Sequence, residues 1–335
     1  MILLTGGAGY IGSNMLLTLL NEQHNVLVLD NLSAGSKATF DHACQLSCGR
    51  GQARFIEADI REPDALHSIF AHNPIDTVLH FAGKKSIGES VGNPLSYYEN
   101  NVLGSINILN AMATFNVKKL LFSSTTSVYG QTNNMPLNER SVVAPNNPYS
   151  QSKAVVDTLL QQMAASDSSL CLASMRYANP IGACNPMLAD NSQDNLLPAM
   201  GRIKRREREY ISIYGGDYHT IDGTAVRDYI HVADVVRAHV LALDYLANNA
   251  GYHLWNISQG KGYSVKQMVA LFEQVHGQSI PYQYRPRRQG DAPAFYASYD
   301  KIQAQTGWQP IHTISDAFAS VAHTQTASLK LSTID

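Results

Sequence analysis

Tyr149 and Lys153, in the run Tyr149-Ser150-Gln151-Ser152-Lys153, are the side chains best placed for chemistry in this 335-residue chain. They follow Pro145-Asn146-Asn147-Pro148, which reads as the opening of a helix, and residues i and i+4 share one helix face. An unperturbed phenol has a pKa of about 10 and stays neutral at physiological pH. A neighbouring ammonium favours the phenolate, which can then take a proton from a hydroxyl as a general base. Thr125 closes the run Lys118-Lys119-Leu120-Leu121-Phe122-Ser123-Ser124 and offers a hydroxyl to the same reacting oxygen. Together the three form a candidate catalytic set for moving a proton on or off an alcohol.

These side chains need a scaffold, and the N-terminal sequence supplies one. Ile2-Leu3-Leu4 reads as a short strand, and Thr5-Gly6-Gly7-Ala8-Gly9-Tyr10-Ile11-Gly12-Ser13 as a tight turn that opens a helix with Leu16, Leu17, Leu19 and Leu20 on its apolar face. In that pattern Gly6 permits the turn, Gly9 lets backbone approach a pyrophosphate, and Gly12 lets helix and strand pack closely. The helix start at Tyr10 and Ile11 presents free N–H groups and the positive dipole end to phosphates. A second strand, Asn25 to Asp30, ends in an acid 18 residues beyond Gly12. That spacing suits the adenosine ribose hydroxyls of NAD and repels the 2′-phosphate of NADP.

Further strands at 53–58, 76–81 and 118–124 lead to Asp59-Ile60, to Phe81 with Ala82-Gly83, and to Thr125. Helices are expected at 63–71 and after Pro94, the latter carrying Asn100 and Asn101. Strands alternating with helices predict an α/β fold, a Rossmann-type doubly wound parallel sheet whose strand carboxyl ends gather the ligand. The pattern shortens near residue 180. This sets an NAD-binding domain at 1–178, with some later segments able to return to it, and a smaller mixed α/β substrate-binding lobe at 179–335, closed by a helix and tail at 313–335.

Composition narrows the classes of function. Net charge is −2, so no basic excess points to nucleic acid. The basic run from Arg202 to Arg208, interrupted by Glu207, reads as a solvated helix face. No apolar run reaches the ~20 residues that span a membrane, and Met1 leads straight into the first strand, leaving no room for a signal peptide. Cys44, Cys48, Cys171 and Cys184 lack C-x-x-C spacing, so a cytoplasmic protein with reduced thiols is expected. His219, His231 and His239 show no metal-ligand pattern, and no metal is assigned.

Taken together, these residues resemble the extended short-chain dehydrogenase/reductase family and, within it, the UDP-hexose 4-epimerases, over about residues 1–310. The resemblance rests on the segments 6–13, 30–32, 80–85, 88–91, 97–102, 122–125, 147–149, 176–183, 222–232 and 287–291. It implies tightly bound NAD held by Gly6, Gly9, Tyr10, Ile11, Gly12, Asp30, Asn31, Asp59, Ile60, Phe81, Ala82, Gly83, Lys85, Asn100, Thr125, Tyr149, Lys153 and Tyr177. It implies a UDP-hexose contacted by Lys85, Thr125, Tyr149, Asn179, Asn195, Leu196, Tyr214, Arg227, Arg288, Asp291 and Phe295. The implied reaction interconverts UDP-galactose and UDP-glucose by C4 oxidation to a 4-keto sugar, rotation and re-reduction.

A UDP-N-acetylhexosamine 4-epimerase or a dual-specificity enzyme is the alternative; a dehydratase or a non-catalytic NAD-binding protein is more distant. A homodimer through two packed helices is also implied. Phe295 matches a size gate, its large ring arguing against 2-acetamido sugars. Thr125 stands where serine is more usual, Lys84 where leucine is common, Ala178 where phenylalanine is common, and the 184–194 loop departs from the family pattern. These departures fall mainly on the sugar side.

Overall fold

A parallel sheet covered on both faces leaves its strands no solvent side, so they read as continuous apolar runs. The computed structural model describes residues 1–132, 134–193, 195–288 and 291–321. Its strands are β1 (Ile2–Thr5), β2 (Val26–Asp30), β3 (Ala53–Glu57), β4 (Thr77–His80), β5 (Lys119–Thr125), β6 (Cys171–Tyr177), β7 (Asn179–Ile181), β8 (Ile211–Tyr214), β9 (Val226–His231), β10 (Gly251–Ile257), β11 (Gly262–Ser264), β12 (Tyr282–Arg285) and β13 (Ala294–Phe295). Seven of them pair in the order β10-β6-β5-β4-β1-β2-β3, every neighbour parallel. The order reverses between β1 and β4, which opens a crevice at their carboxyl ends. This is the doubly wound Rossmann-type sheet expected from the sequence.

Alternation sends neighbouring strand residues to opposite faces. Leu4 packs with Leu16 and Leu19 of the helix Tyr10–Asn21 and with Val235 of the helix Val232–Leu246. Leu3 packs on the other face with Leu66, Ile108 and Leu160, from the helices Pro63–His72, Gly104–Thr114 and Pro148–Ser166. The chain returns to this sheet late: β10 is its outer strand, paired along its whole length with β6.

The segment after Pro94 differs from a plain helix. Pro94–Tyr97 is α-helical, Tyr98–Leu103 is π-helical, and Gly104–Thr114 resumes the α-helix. The wide turn holds an extra residue, a feature that concentrates at functional sites. Here it lets buried Asn101 aim its amide at the backbone of Lys84 and at Ser152.

The smaller lobe has its own core of Ile181, Met200, Ile211, Tyr229, Phe272 and Phe318. In it β9 pairs with β7, β11 and β13, while β8 pairs with β12. The closing helix is Ile314–Ala319, with Thr313 and Asp316 forming a capping box. The tail from residue 322, and Gln289 and Gly290 of the 287–291 segment, lie outside the described residues. Among the described residues no helix is long and apolar enough to cross a membrane.

Candidate active site

Helix Pro148–Ser166 starts where the sequence requires. Pro148 occupies the first turn, and the Asn147 side chain accepts the Ser150 N–H at 2.9 Å, satisfying a donor left free at a helix start. This fixes Tyr149 at the helix mouth and Lys153 one turn in. The buried Tyr149 phenol faces Thr125, the last residue of β5, whose side chain draws the phenol's pKa down. Thr125 pairs in register with Tyr177, the last residue of β6. The three hydroxyl-bearing side chains therefore sit where two strands and one helix converge.

Lys153 is buried, and its Nζ donates to the Ser123 carbonyl at 2.8 Å. Burial lowers its pKa to about 8, with the Asp157 carboxylate pulling it back up. The spacing predicts a shared face for Tyr149 and Lys153. In the structure the ammonium is committed to backbone, burial pushes the Tyr149 phenol up, and the Thr125 side chain pulls it partly down. A further positive charge brought to this site would favour the phenolate.

Two histidines given no role in the sequence analysis brace the centre. His80 is buried between Thr5 and Ser105, with Nδ1 to Thr5 Oγ1 at 2.7 Å and Nε2 to Ser105 Oγ at 2.9 Å. Ser105 donates its only hydroxyl proton to the Asn101 carbonyl, and Thr5 Oγ1 accepts the Ala82 N–H. Nε2 therefore carries the proton and Nδ1 accepts from Thr5. His239 Nδ1 meets the Val235 carbonyl at 2.9 Å, so its Nε2 accepts from the Tyr177 hydroxyl at 2.7 Å. Hydrogen-bonding partners on neighbouring elements could reveal these roles; sequence spacing alone carries no such signal.

The cofactor side is a backbone cradle. Gly6 has φ +72°, and a Cβ there would lie 2.6 Å from Ala82 N. Gly9 has no side chain with which to cap the helix Tyr10–Asn21, so the N–H groups of its first turn face the turn. A Cβ at Gly83 would meet Lys153 Nζ at 3.1 Å. Asp30 is buried at the end of β2 and accepts from Ala8 N and Leu32 N. Asp59 accepts from Asn31 and from both sides of the Arg61 guanidinium, which holds its carboxyl well below the usual range. Ile60 is buried, and the Phe81 ring meets that of His239 with centroids 4.9 Å apart, tilted by 38°. Asn100 donates to Asn101. Residues from β1, β2, β3, β4, β5 and β6 thus line one edge.

Across that edge, Tyr10 donates to the Gly182 carbonyl, and Lys85 lies 5.7 Å from the Tyr10 ring and 3.7 Å from Asp190. Asp190 also accepts from Asn195, just before the helix that Leu196 opens. Arg227 donates to the Ala292 carbonyl at 2.8 Å and pairs with Asp291 at 3.3 Å. Phe295 is in register with Arg227 and packs on a cluster that contains Ala154, the neighbour of Lys153. Arg288 is exposed and stacks over Tyr214 at 3.9 Å. Asn179 is exposed on β7 beside Tyr229. The structure brings Arg227, Asp291 and Phe295 into one group next to the catalytic helix, while Arg288 with Tyr214 forms a separate outer pair. Lys84 directs its charge to Glu89 at 3.1 Å, so the added cation is paired rather than left facing the crevice.

The buried histidines set a pH dependence. His80 is held neutral with a pKa lowered to about 3, against about 6.5 in an unfolded chain. Below that value the unfolded state binds a proton that the folded state refuses, so stability is lost as pH falls. Between pH 7 and pH 5 this one group removes about 2 kcal/mol. In His80→Asn that loss is absent. The fall in unfolding free energy over this interval is expected to be smaller in the variant than in the wild type; equal falls would contradict it.

Comparison with known proteins agrees with this geometry. The pattern of the family described as "NAD dependent epimerase/dehydratase family" matches residues 2–258. A UDP-glucose 4-epimerase of Bacillus subtilis (strain 168) is 40% identical over 312 residues, covering 92% of this chain and 91% of that protein. A solved UDP-glucose 4-epimerase of Bifidobacterium longum, in complex with NAD+ and UDP, superposes with a TM-score of 0.92 at 36% identity, covering 97% of both chains. One from Stenotrophomonas maltophila, with bound NAD and formylated UDP-arabinopyranose, gives 0.92 at 35% identity, again over 97% of both.

Proposed function

The chain belongs to the NAD dependent epimerase/dehydratase family, and from that premise we propose that it is an NAD-dependent UDP-hexose 4-epimerase, interconverting UDP-galactose and UDP-glucose. The observation that carries the reading is the meeting of the Thr125 hydroxyl, the Tyr149 phenol and buried Lys153 above the glycine turn. The residues present fit a dinucleotide. Gly6, Gly9, Gly12 and Gly83 leave side-chain volume empty where backbone and Lys153 crowd in, and the uncapped helix start suits a diphosphate. Gly6, Gly9, Tyr10, Ile11 and Gly12 would hold the phosphates; Asp30 and Asn31 the adenosine ribose; Asp59 and Ile60 the adenine side. Phe81, Ala82, Gly83, Lys85, Asn100, Lys153 and Tyr177 would line the remainder.

When bound, NAD supplies the acceptor and later the donor of the C4 hydrogen, and its ring adds a positive charge beside Tyr149. Tyr149 takes the proton of the sugar 4-hydroxyl, and Thr125 holds that oxygen by a hydrogen bond. Lys153 keeps the ribose end in place and adds a positive field. The 4-keto sugar then turns over within the pocket, and Tyr149 returns the proton to the oxygen on the other face. The nucleotide end must stay fixed while the hexose rotates. Arg227 and Asp291, with Arg288 over Tyr214, are the anchors for UDP, and Arg offers a rigid fork suited to a diphosphate. Asn179, Asn195, Leu196 and Lys85 edge the sugar.

The test is conversion of UDP-galactose to UDP-glucose by purified protein with no added NAD. A preparation that holds NAD(H) yet converts neither UDP-hexose would sink the reading. Phe295 is the wall against larger sugars. Phe295→Cys is expected to raise kcat/KM for UDP-N-acetylgalactosamine by about 10-fold or more, the scale of a pocket-volume change, while UDP-galactose turnover changes little. Unchanged discrimination would remove Phe295 from that role.

The protein is a cytoplasmic homodimer in this reading. Its four cysteines are free, as a reducing compartment requires. Exposed Ile87, Val91, Leu95 and Leu103 lie on consecutive helical segments beside the helix Pro148–Ser166, an apolar surface suited to a second copy. Light scattering should return twice 36.7 kDa; a monomer at micromolar concentration would contradict it.

A further inference from the structure

Asp228 lies in the segment 222–232, one of those that carry the resemblance, yet the reaction as derived makes no use of it. Its carboxylate is fully buried on β9, between Arg227 and Tyr229. Strand alternation puts it on the face opposite Arg227. One oxygen accepts the Gln259 N–H at 2.8 Å and the other the Ala297 N–H at 3.3 Å, with the Gly260 backbone also favouring the charged form. Burial pushes the carboxyl up to about 7, and these backbone donors are what pull it back. Among the described residues the groups that act on it are backbone N–H donors rather than a cation.

These backbone groups come from two different places. Gln259 and Gly260 lie two and three residues past the end of β10, the outer strand of the large sheet. Ala297 follows β13, which runs parallel to β9 with Phe295 opposite Arg227. The same stretch is tied onward by Ser258 Oγ to the Ala297 carbonyl at 2.9 Å and by Leu137 N to the Tyr296 carbonyl at 3.0 Å. Asp291, Ala292 and Phe295, which meet Arg227 and the catalytic helix, all lie on the segment that Asp228 holds.

We propose that Asp228 is a positioning residue for the substrate: by joining β9, the exit of β10 and the 291–298 segment, it sets the distance between the Arg227–Asp291 clamp and the Phe295 wall. Glycine or asparagine in its place would leave the catalytic side chains untouched and loosen the nucleotide end. The inference rests on the UDP-hexose reading of the site.

Asp228→Asn tests it, because the amide is isosteric but turns an N–H toward a backbone N–H. In NAD-loaded protein, KM for UDP-galactose is expected to rise about 10-fold or more, the scale of a lost hydrogen bond to a buried charge. Calorimetric affinity for UDP alone should weaken by a similar factor, while kcat per NAD-bound site stays within about 3-fold. A structural defect alone would lower the melting temperature and the active fraction and leave KM in place. An unchanged KM, or a fall in kcat alone, overturns the proposal.

Should the variant not fold, hydrogen exchange on the wild type decides. The Ala297 and Gln259 amides should be strongly protected, and UDP should slow exchange across 291–298. A fast-exchanging Ala297 amide overturns the proposal. Wild type that converts no UDP-hexose defeats the functional reading instead, whatever the variant does.

Discussion

Replacing Tyr149 by phenylalanine is expected to lower kcat for UDP-galactose about 1,000-fold, within the usual range for removal of a general acid–base group, with retained NAD(H) and KM nearly unchanged. The substitution deletes one oxygen. The ring keeps its edge contact with Tyr97, with centroids 6.4 Å apart, and the helix start capped by Asn147 does not depend on the phenol. What disappears is the hydroxyl that faces Thr125 at the point where the sugar hydroxyl must sit.

Tyr177 is another phenol at these strand ends, and it does not substitute for Tyr149. Its hydroxyl proton is committed to His239 Nε2, because His239 donates from Nδ1 to the Val235 carbonyl. Burial also raises Tyr177 well above the usual phenol range. A Tyr149→Phe enzyme within 10-fold of wild-type kcat would therefore relocate the acid–base chemistry, and steady-state assays normalised to bound NAD would show it.

Much of this site is visible in the sequence because its parts obey local rules. The glycine turn, the acid ending β2 and the Tyr149–Lys153 spacing each depend on residues close in the chain, and the predicted strands at 2–4, 25–30, 53–58, 76–81 and 118–124 form with shifts of at most one residue at each end. β6 is harder to see. Its run Cys171–Tyr177 contains Ser174 and Arg176, both buried, and the arginine is tolerated only because Asp157, on the helix Pro148–Ser166, meets it at 2.9 Å. That partner lies 19 residues away, beyond any pattern window.

The sequence leaves room for a later segment to return to the sheet but does not say which one, since the β10–β6 pairing joins residues about 80 apart in the chain. The wide turn at Tyr98–Leu103 is set by where the Asn101 amide must reach, not by helix propensity. His80, His239, Asn101 and Asp228 share this character. Each acts through a contact made by the tertiary fold, so residue type and spacing alone do not reveal it.

Gly12→Ala should empty the protein of cofactor, and it separates two uses of glycine that the sequence motif runs together. A Cβ at Gly12 would lie 2.1 Å from the Gly6 carbonyl oxygen and 2.8 Å from Gly7 Cα. Both are backbone atoms, so neither can swing aside; the helix Tyr10–Asn21 must move off the turn. That displaces the first-turn N–H groups from the diphosphate and opens the packing around Leu16 and Leu19. Purified Gly12→Ala is expected to carry NAD(H) in fewer than about one site in ten, to melt several degrees lower, and to lose turnover in proportion, as a backbone clash at a close-packed glycine predicts.

At Gly9 the added Cβ meets only the Gly6 carbonyl, at 3.3 Å. Gly9→Ala should therefore keep its melting temperature while still binding NAD(H) poorly, because the methyl group intrudes on the ligand rather than on the fold. Gly88, with nothing within 4 Å of an added Cβ, serves as the neutral control. If Gly12→Ala retained its cofactor through purification, the turn would not be the cradle. If Gly9→Ala and Gly12→Ala lost stability alike, the distinction between approach to the ligand and approach to the strand would fail. Cofactor content by absorbance after heat release, read beside the melting temperature, decides both.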